Sequence, residues 1–168
     1  PNTASPHDRR RPAHRSVLVH HLAEHAMPPH LTTLNLTLLV FAVWTLTVLT
    51  FTVGVHRWSR ILLGKSAIHE FPAHAPNGPD WYRRATRAHL NCVENLPVYG
   101  AIVLTASSLN AGGALLDALA VTVVCARVVQ TVVHVAFTET HRSVSARFSF
   151  FSVQLVAMGA MVVALLRR

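Results

Sequence analysis

Charge is scarce in this chain. Asp, Glu, Lys and Arg make up only 13% of its 168 residues, against about 25% in an ordinary soluble domain. Apolar residues reach 51%, and mean hydropathy is positive. Gathered into long runs, they suit lipid as the solvent better than water. The length allows one compact unit and is short for two ordinary domains. Acidic residues are scarcer still: 7 stand against 15 Lys and Arg, a formal charge of +8. In a soluble protein that excess would raise the question of nucleic acid. Here the basic residues lie mainly between or beyond the apolar runs, where membrane topology accounts for them, and no nucleic-acid partner is expected. Cysteine is confined to Cys92 and Cys125, far apart and inside apolar segments. They read as two small buried residues without a bridge, and no zinc-type spacing exists. Alternation at period two is missing, which argues against a β-barrel. Inverted repeats and discontinuous helices are also missing, which weakens a channel or transporter reading.

The first 26 residues are rich in Arg, His and Pro and have no sustained apolar run, so they lack the core of a signal peptide. The first methionine is Met27. The expectation is that Met27 is the natural start, with 1–26 a mis-called extension or a disordered tail and 27–168 the membrane domain. His20, His21 and His25 invite a metal reading, but no ordered ligand frame accompanies them and a polar tail is the simpler account.

Four apolar stretches have the length of a membrane span: Leu31 to about Val55, Thr86 to Leu109, Ala114 to about Phe137, and Val144 to Leu166. Backbone groups must be satisfied within the bilayer, so helices are expected and the fold class is all-α, a four-transmembrane-helix bundle. The threonines of the first stretch are tolerable because their hydroxyls can bond back to helix carbonyls. Pro97 removes a ladder bond in the second. The connection between Arg57 and Arg83 is the longest, with a turn at Asn77 to Pro79. Asn110 to Gly113 is a short link, so helices two and three are expected to be antiparallel neighbours; the link around Thr138 to His141 is also short. Loops one and three hold Arg57, Arg60, Lys65, Arg83, Arg84, Arg142 and Arg147, whereas loop two has no Lys or Arg. The positive-inside rule places loops one and three in the cytoplasm. With a bacterial-looking composition, the expected location is a bacterial inner membrane.

Ionisable residues inside spans are costly and mark candidate sites. The second stretch carries Arg87, Asn91, Glu94 and Asn95 at i, i+4, i+7 and i+8, which share one helix face. The third carries Arg127, Gln130, Thr131 and His134 at i, i+3, i+4 and i+7, also one face. Two such stripes are expected to face each other or a wet cleft. Arginines there suit an anionic ligand, and Glu94 suits a ligand ammonium group. An internal ion-pair network locking the bundle together would use the same residues. A metal held by His89, Glu94 and His134 has no motif behind it, and no metal is expected.

The segment Arg84 to Pro97, with its pattern Arg-Ala-x-x-Asn-x-x-Glu from Arg87 to Glu94, resembles the signature of the MAPEG family, the membrane-associated proteins of eicosanoid and glutathione metabolism. Ala126-Arg127-Val128 with its polar face, and Arg142-Ser143-Val144 at the start of the fourth helix, are further points of resemblance. The resemblance implies a homotrimer with sites between neighbouring subunits, near the cytoplasmic side, taking glutathione as co-substrate. It implies that Arg87 and Asn91 hold the carboxylates and backbone of glutathione, and that Glu94 holds its amino group. Arg57 is implied as a basic ligand contact, with Arg127, Gln130 and His134 completing the thiol-binding set. Arg142 is implied as the group that stabilises the thiolate, with Ser143 assisting. Several family members have tyrosine where this chain has His134, an aromatic residue or histidine at Gln130, and some a basic residue at Leu90.

A thiol near an arginine ionises more readily and becomes the stronger nucleophile. The leading expectation is therefore a membrane-bound transferase or peroxidase that uses glutathione, or another small thiol, on lipophilic electrophiles or hydroperoxides, with membrane lipids as further partners. The alternative is a non-catalytic MAPEG-like membrane protein whose polar faces serve assembly or lipid binding.

Overall fold

The computed structural model describes residues 31–71 and 78–168. The expected N-terminal extension and part of the expected loop-one turn lie outside these residues. Among the described residues the chain is all-helical, with four long helices and no strand. They are α1 (Thr33–Leu62), α2 (Asp80–Ser108), α3 (Ala114–Ala136) and α4 (His141–Leu166). A short 3-10 turn, Ile68–Glu70, lies in loop one.

Three of these, α1, α3 and α4, are long and apolar enough to cross a membrane; α2 is not, by composition. Asp80, Arg83, Arg84, Arg87 and Glu94 all lie within its 29 residues and lower its hydropathy. α2 also begins earlier than its apolar stretch, with Pro79 at the N-cap and Asp80 in the first turn. The carboxylate there complements the helix dipole. The helix continues through Pro97.

α1 runs to Leu62, about two turns past the expected end near Val55. Its segment Leu49–Gly54 is π-helical, between α-helical Thr33–Val48 and Val55–Leu62. Its threonines behave as anticipated: Thr45 Oγ1 donates to Phe41 O at 2.9 Å and Thr47 Oγ1 to Val43 O at 2.8 Å.

The links show why the helices stop where they do. At the end of α1, Gly64 adopts φ 65°, Lys65 N bonds Arg60 O at 2.8 Å and Gly64 N bonds Ile61 O at 3.0 Å. Asn110, with φ 48°, repeats the arrangement after α2: Ala111 N bonds Ala106 O at 2.8 Å and Asn110 N bonds Ser107 O at 3.1 Å. Both are Schellman motifs, which satisfy carbonyls left over at a helix end. α4 starts at His141 because Thr140 and Ser143 form a capping box.

α3 and α4 make the most extensive pairing, and α1 packs on both α2 and α3. The core holds Phe41, Tyr99, Val103, Leu116, Val123 and Met161, all nearly or fully buried. Large apolar side chains such as Leu39, Phe51, Leu104, Phe148 and Val156 stay exposed, as expected of surfaces that meet lipid. Cys92 is buried as anticipated, but Cys125 is exposed; both thiols are free.

Candidate functional site

The two polar stripes point in different directions. On α2, Arg87 and Glu94 are exposed and Asn91 and Asn95 are half-buried. Asn95 Nδ2 is bound to Asn91 O at 2.9 Å. Among the described residues, neither Arg87 nor Glu94 has an ion-pair partner. On α3, Arg127, Gln130, Thr131 and His134 are all buried inside the subunit. The stripes therefore do not meet across a shared cleft within one subunit: one is closed inward and the other is left outward.

The inward stripe is tied together without a carboxylate. Arg127 is 1% exposed and is the largest fully buried side chain. Its Nη1 donates to Gln130 Oε1 at 2.9 Å, and its guanidinium lies 5.6 Å from the centre of the Phe41 ring. Gln154 of α4 donates to the same Gln130 oxygen at 3.0 Å, and Gln130 Nε2 donates to Arg147 O at 3.1 Å. Gln130 Oε1 thus accepts twice, and one amide joins α3 to α4. Thr131 bonds back to Arg127 O at 2.9 Å and lies 3.6 Å from Cys92 Sγ, which brings α2 into the group. Among the described residues, Arg127 Nε and Nη2 and Gln154 Oε1 have no hydrogen-bond partner. A buried cation is costly, and the Gln130 amide oxygen with the Phe41 face offsets part of that cost. The only ion pairs among the described residues are Arg83–Asp80, both exposed, and Arg147–Glu139 at 3.9 Å. An internal ion-pair network across the two stripes is not what joins these helices.

Arg57, Arg84 and Arg142 stand where α1 ends, α2 begins and α4 begins, with Arg87 two turns into α2 and Glu94 at its middle. Arg57 donates from Nε to the hydroxyl of Tyr82 at 2.7 Å and lies 5.7 Å from the Phe71 ring centre. Arg84 Nε reaches Val135 O at 3.3 Å. The charges of Arg84, Arg87 and Arg147 lie within electrostatic range of the His134 ring, as does the carboxylate of Glu139. Arg142 is exposed on the first turn of α4. Beside it, Ser143 is occupied: its hydroxyl accepts from Thr140 N at 3.0 Å and lies 2.7 Å from Thr138 O. That hydroxyl fixes the turn on which Arg142 stands. No group of three His, Cys, Asp or Glu side chains among the described residues could hold a metal ion, so His89, Glu94 and His134 are not brought together as ligands.

Sequence reasoning passed over Gln154, Tyr82 and Tyr99. A lone glutamine in an apolar run was a signal, since an amide inside a span needs partners. Tyr99, fully buried, donates to Thr37 Oγ1 at 2.7 Å and so ties α2 to α1. Tyr82 gave no signal, because its role depends on Arg57 arriving from a distant turn.

The model of the MAPEG family matches residues 34–167. The chain belongs to the MAPEG family. The match takes in all four helices almost completely, and with three membrane-capable helices it makes this MAPEG chain a multi-pass integral membrane protein. No curated protein and no solved structure matches it.

Proposed function

We propose that this MAPEG protein is a membrane-bound transferase or peroxidase that uses glutathione, or a related thiol, on lipophilic electrophiles or hydroperoxides. The observation that carries the reading is the outward α2 stripe. Arg87 and Glu94 are exposed on a helix that sits among three membrane-capable ones, and neither has an ion-pair partner among the described residues. Left against lipid, such charges are costly. A neighbouring subunit and a zwitterionic, carboxylate-bearing ligand would satisfy both. This favours α2 as the fourth span and a homotrimer in which each site lies between subunits.

In this reading Arg87 and Asn91 hold the thiol's carboxylates, Glu94 its ammonium group and Arg57 the remaining negative charge. Arg142 stabilises the thiolate, and Ser143, bound into the cap, positions Arg142. Arg127, Gln130 and His134 support the site from inside. The thiolate attacks an electrophilic carbon and a leaving group departs. With a hydroperoxide, it attacks the peroxide oxygen; a second thiol then gives disulfide and water beside the alcohol. Apolar substrate enters from the bilayer. Loops one and three are cytoplasmic, in a bacterial inner membrane.

Calorimetric titration of the detergent-purified protein with glutathione, beside Arg87→Ala, tests this. Saturable heat that the variant loses is expected; absence of binding to the wild type would remove glutathione from the proposal. Arg142→Ala is expected to lower turnover far more than expression or assembly.

One observation favours a second reading, a non-catalytic membrane protein. The hydroxyl of Ser143 and the Arg127–Gln130–Gln154 group are already engaged within the subunit. There the α2 face serves assembly alone, and Glu94→Ala breaks the oligomer. A trimeric Glu94→Ala protein would count against it.

A further inference from the structure

At the opposite end of the bundle lies a second feature that the thiol reading does not use. The start of α3 and the end of α4 flank an open groove of about 620 Å³. Its walls include Leu115, Ala160, Val163 and Ala164, and its rim carries Arg167 and Arg168. Among the described residues, no acidic side chain lines it. Twenty residues of α3 separate Ala114 from His134, about 30 Å at 1.5 Å per residue, so the groove is remote from the basic cluster of the proposed thiol site.

We propose that this groove binds an anionic phospholipid, acyl chain along the α3–α4 walls and headgroup between the two arginines. Three observations bear on the occupant. The walls are apolar and face outward: Leu115 and Val163 are exposed and Ala160 and Ala164 half-buried. Ala160 and Ala164 stand one turn apart on α4, and larger side chains there would fill the groove. The rim is cationic: both arginines are exposed, and Arg168 Nη2 donates to Gly112 O, which holds its guanidinium over the loop between α2 and α3. α3 has no side-chain N-cap among the described residues and carries Asp117 in its first turn, so the positive charge at this end rests on Arg167 and Arg168. Charge above and apolar surface below match an amphiphile with an anionic head. In a multi-pass membrane protein that ligand is always within reach. Arginine stems can lie along the apolar wall while their heads stay at the headgroup level. A soluble anion would leave the apolar walls unused.

The test is native mass spectrometry of the full chain, purified in neutral detergent and offered equimolar phosphatidylglycerol and phosphatidylcholine. Preferential retention of phosphatidylglycerol is expected. Arg167→Gln/Arg168→Gln is expected to reduce that preference about tenfold. Ala160→Trp/Ala164→Trp, which fills the groove and keeps both arginines, is expected to lower phosphatidylglycerol retention as well. Equal retention of the two lipids by the wild type would overturn the proposal. So would a preference that survives the arginine variant, since it would then belong to other basic residues. A preference lost in the arginine variant but untouched by the tryptophan variant would leave charge alone and remove the groove. Displacement by millimolar inorganic phosphate would mark a free-anion site instead. The arginine pair is exposed, so its variant keeps the fold and decides the charge part of the proposal; should the tryptophan variant fail to assemble, the smaller change Ala160→Leu decides the groove by the same readout. Glutathione binding is measured on the same samples and is expected to be unchanged.

Discussion

The polar faces of α2 and α3 have nearly the same spacing and opposite fates. Arg87, Asn91 and Glu94 follow i, i+4, i+7, and Arg127, Gln130 and His134 follow i, i+3, i+7. Arg127 is nearly sealed from solvent and bonded to Gln130, whereas Arg87 is exposed without an ion-pair partner among the described residues. A buried polar group must find its partners within the subunit, because lipid and core supply none. A group left outward is free to meet something else. The inward face is therefore expected to govern folding, and the outward face to govern what the protein binds.

The largest effect should come from opening the inward face. Arg127→Ala removes a buried guanidinium, leaves Gln130 short of a donor and creates space beside Phe41. The expected loss is about 3–5 kcal/mol, read as a large fall in detergent thermal stability or failure to fold. Were Arg127→Ala as stable as the wild type, the division between the faces would fail.

Arg87→Ala is the mirror test. It is expected to leave the melting temperature nearly unchanged and to weaken glutathione binding by tenfold or more, since charge-assisted bonds to a carboxylate are lost. Stability and binding falling together would show that α2 is also structural.

A smaller effect is expected from Gln154→Leu, which cuts one of the two α4 links to Gln130 and removes with it an oxygen that has no partner among the described residues. The cost should be about 1 kcal/mol, measured by thermal unfolding, with glutathione affinity unchanged. The smallest is Thr140→Ala at the α4 cap, about 1 kcal/mol or less. It is expected to reduce turnover more than stability, because Arg142 stands on the turn that Thr140 and Ser143 hold. Turnover tracking stability alone would remove the positioning role from that turn.

Much of the architecture is legible in the sequence. α3 begins at Ala114 and ends one residue short of the expected Phe137, because an apolar run bounded by Gly112-Gly113 and a short polar link leaves little choice. α1 and α2 are less so. α1 continues past its apolar run to Leu62, and α2 starts ahead of its own at Asp80, since helix formation depends on backbone bonding and capping rather than hydropathy. The same polarity that identified Arg87 and Glu94 as candidates keeps α2 below the hydropathy of a span.

By itself, then, the sequence determined the class of the protein: an α-helical membrane chain of the MAPEG family, with two polar faces and arginines at known positions. Hydropathy and periodicity are local properties, and each can be read along one helix at a time. Only the tertiary structure decided which face turns inward, that Gln154 from α4 completes the Arg127–Gln130 group, and that the Ser143 hydroxyl is spent on a cap. Periodicity defines a stripe on a helix but not the rotation of that helix about its axis. That rotation is set by packing against neighbours, and with it whether a charge is buried among partners or left at the surface to bind.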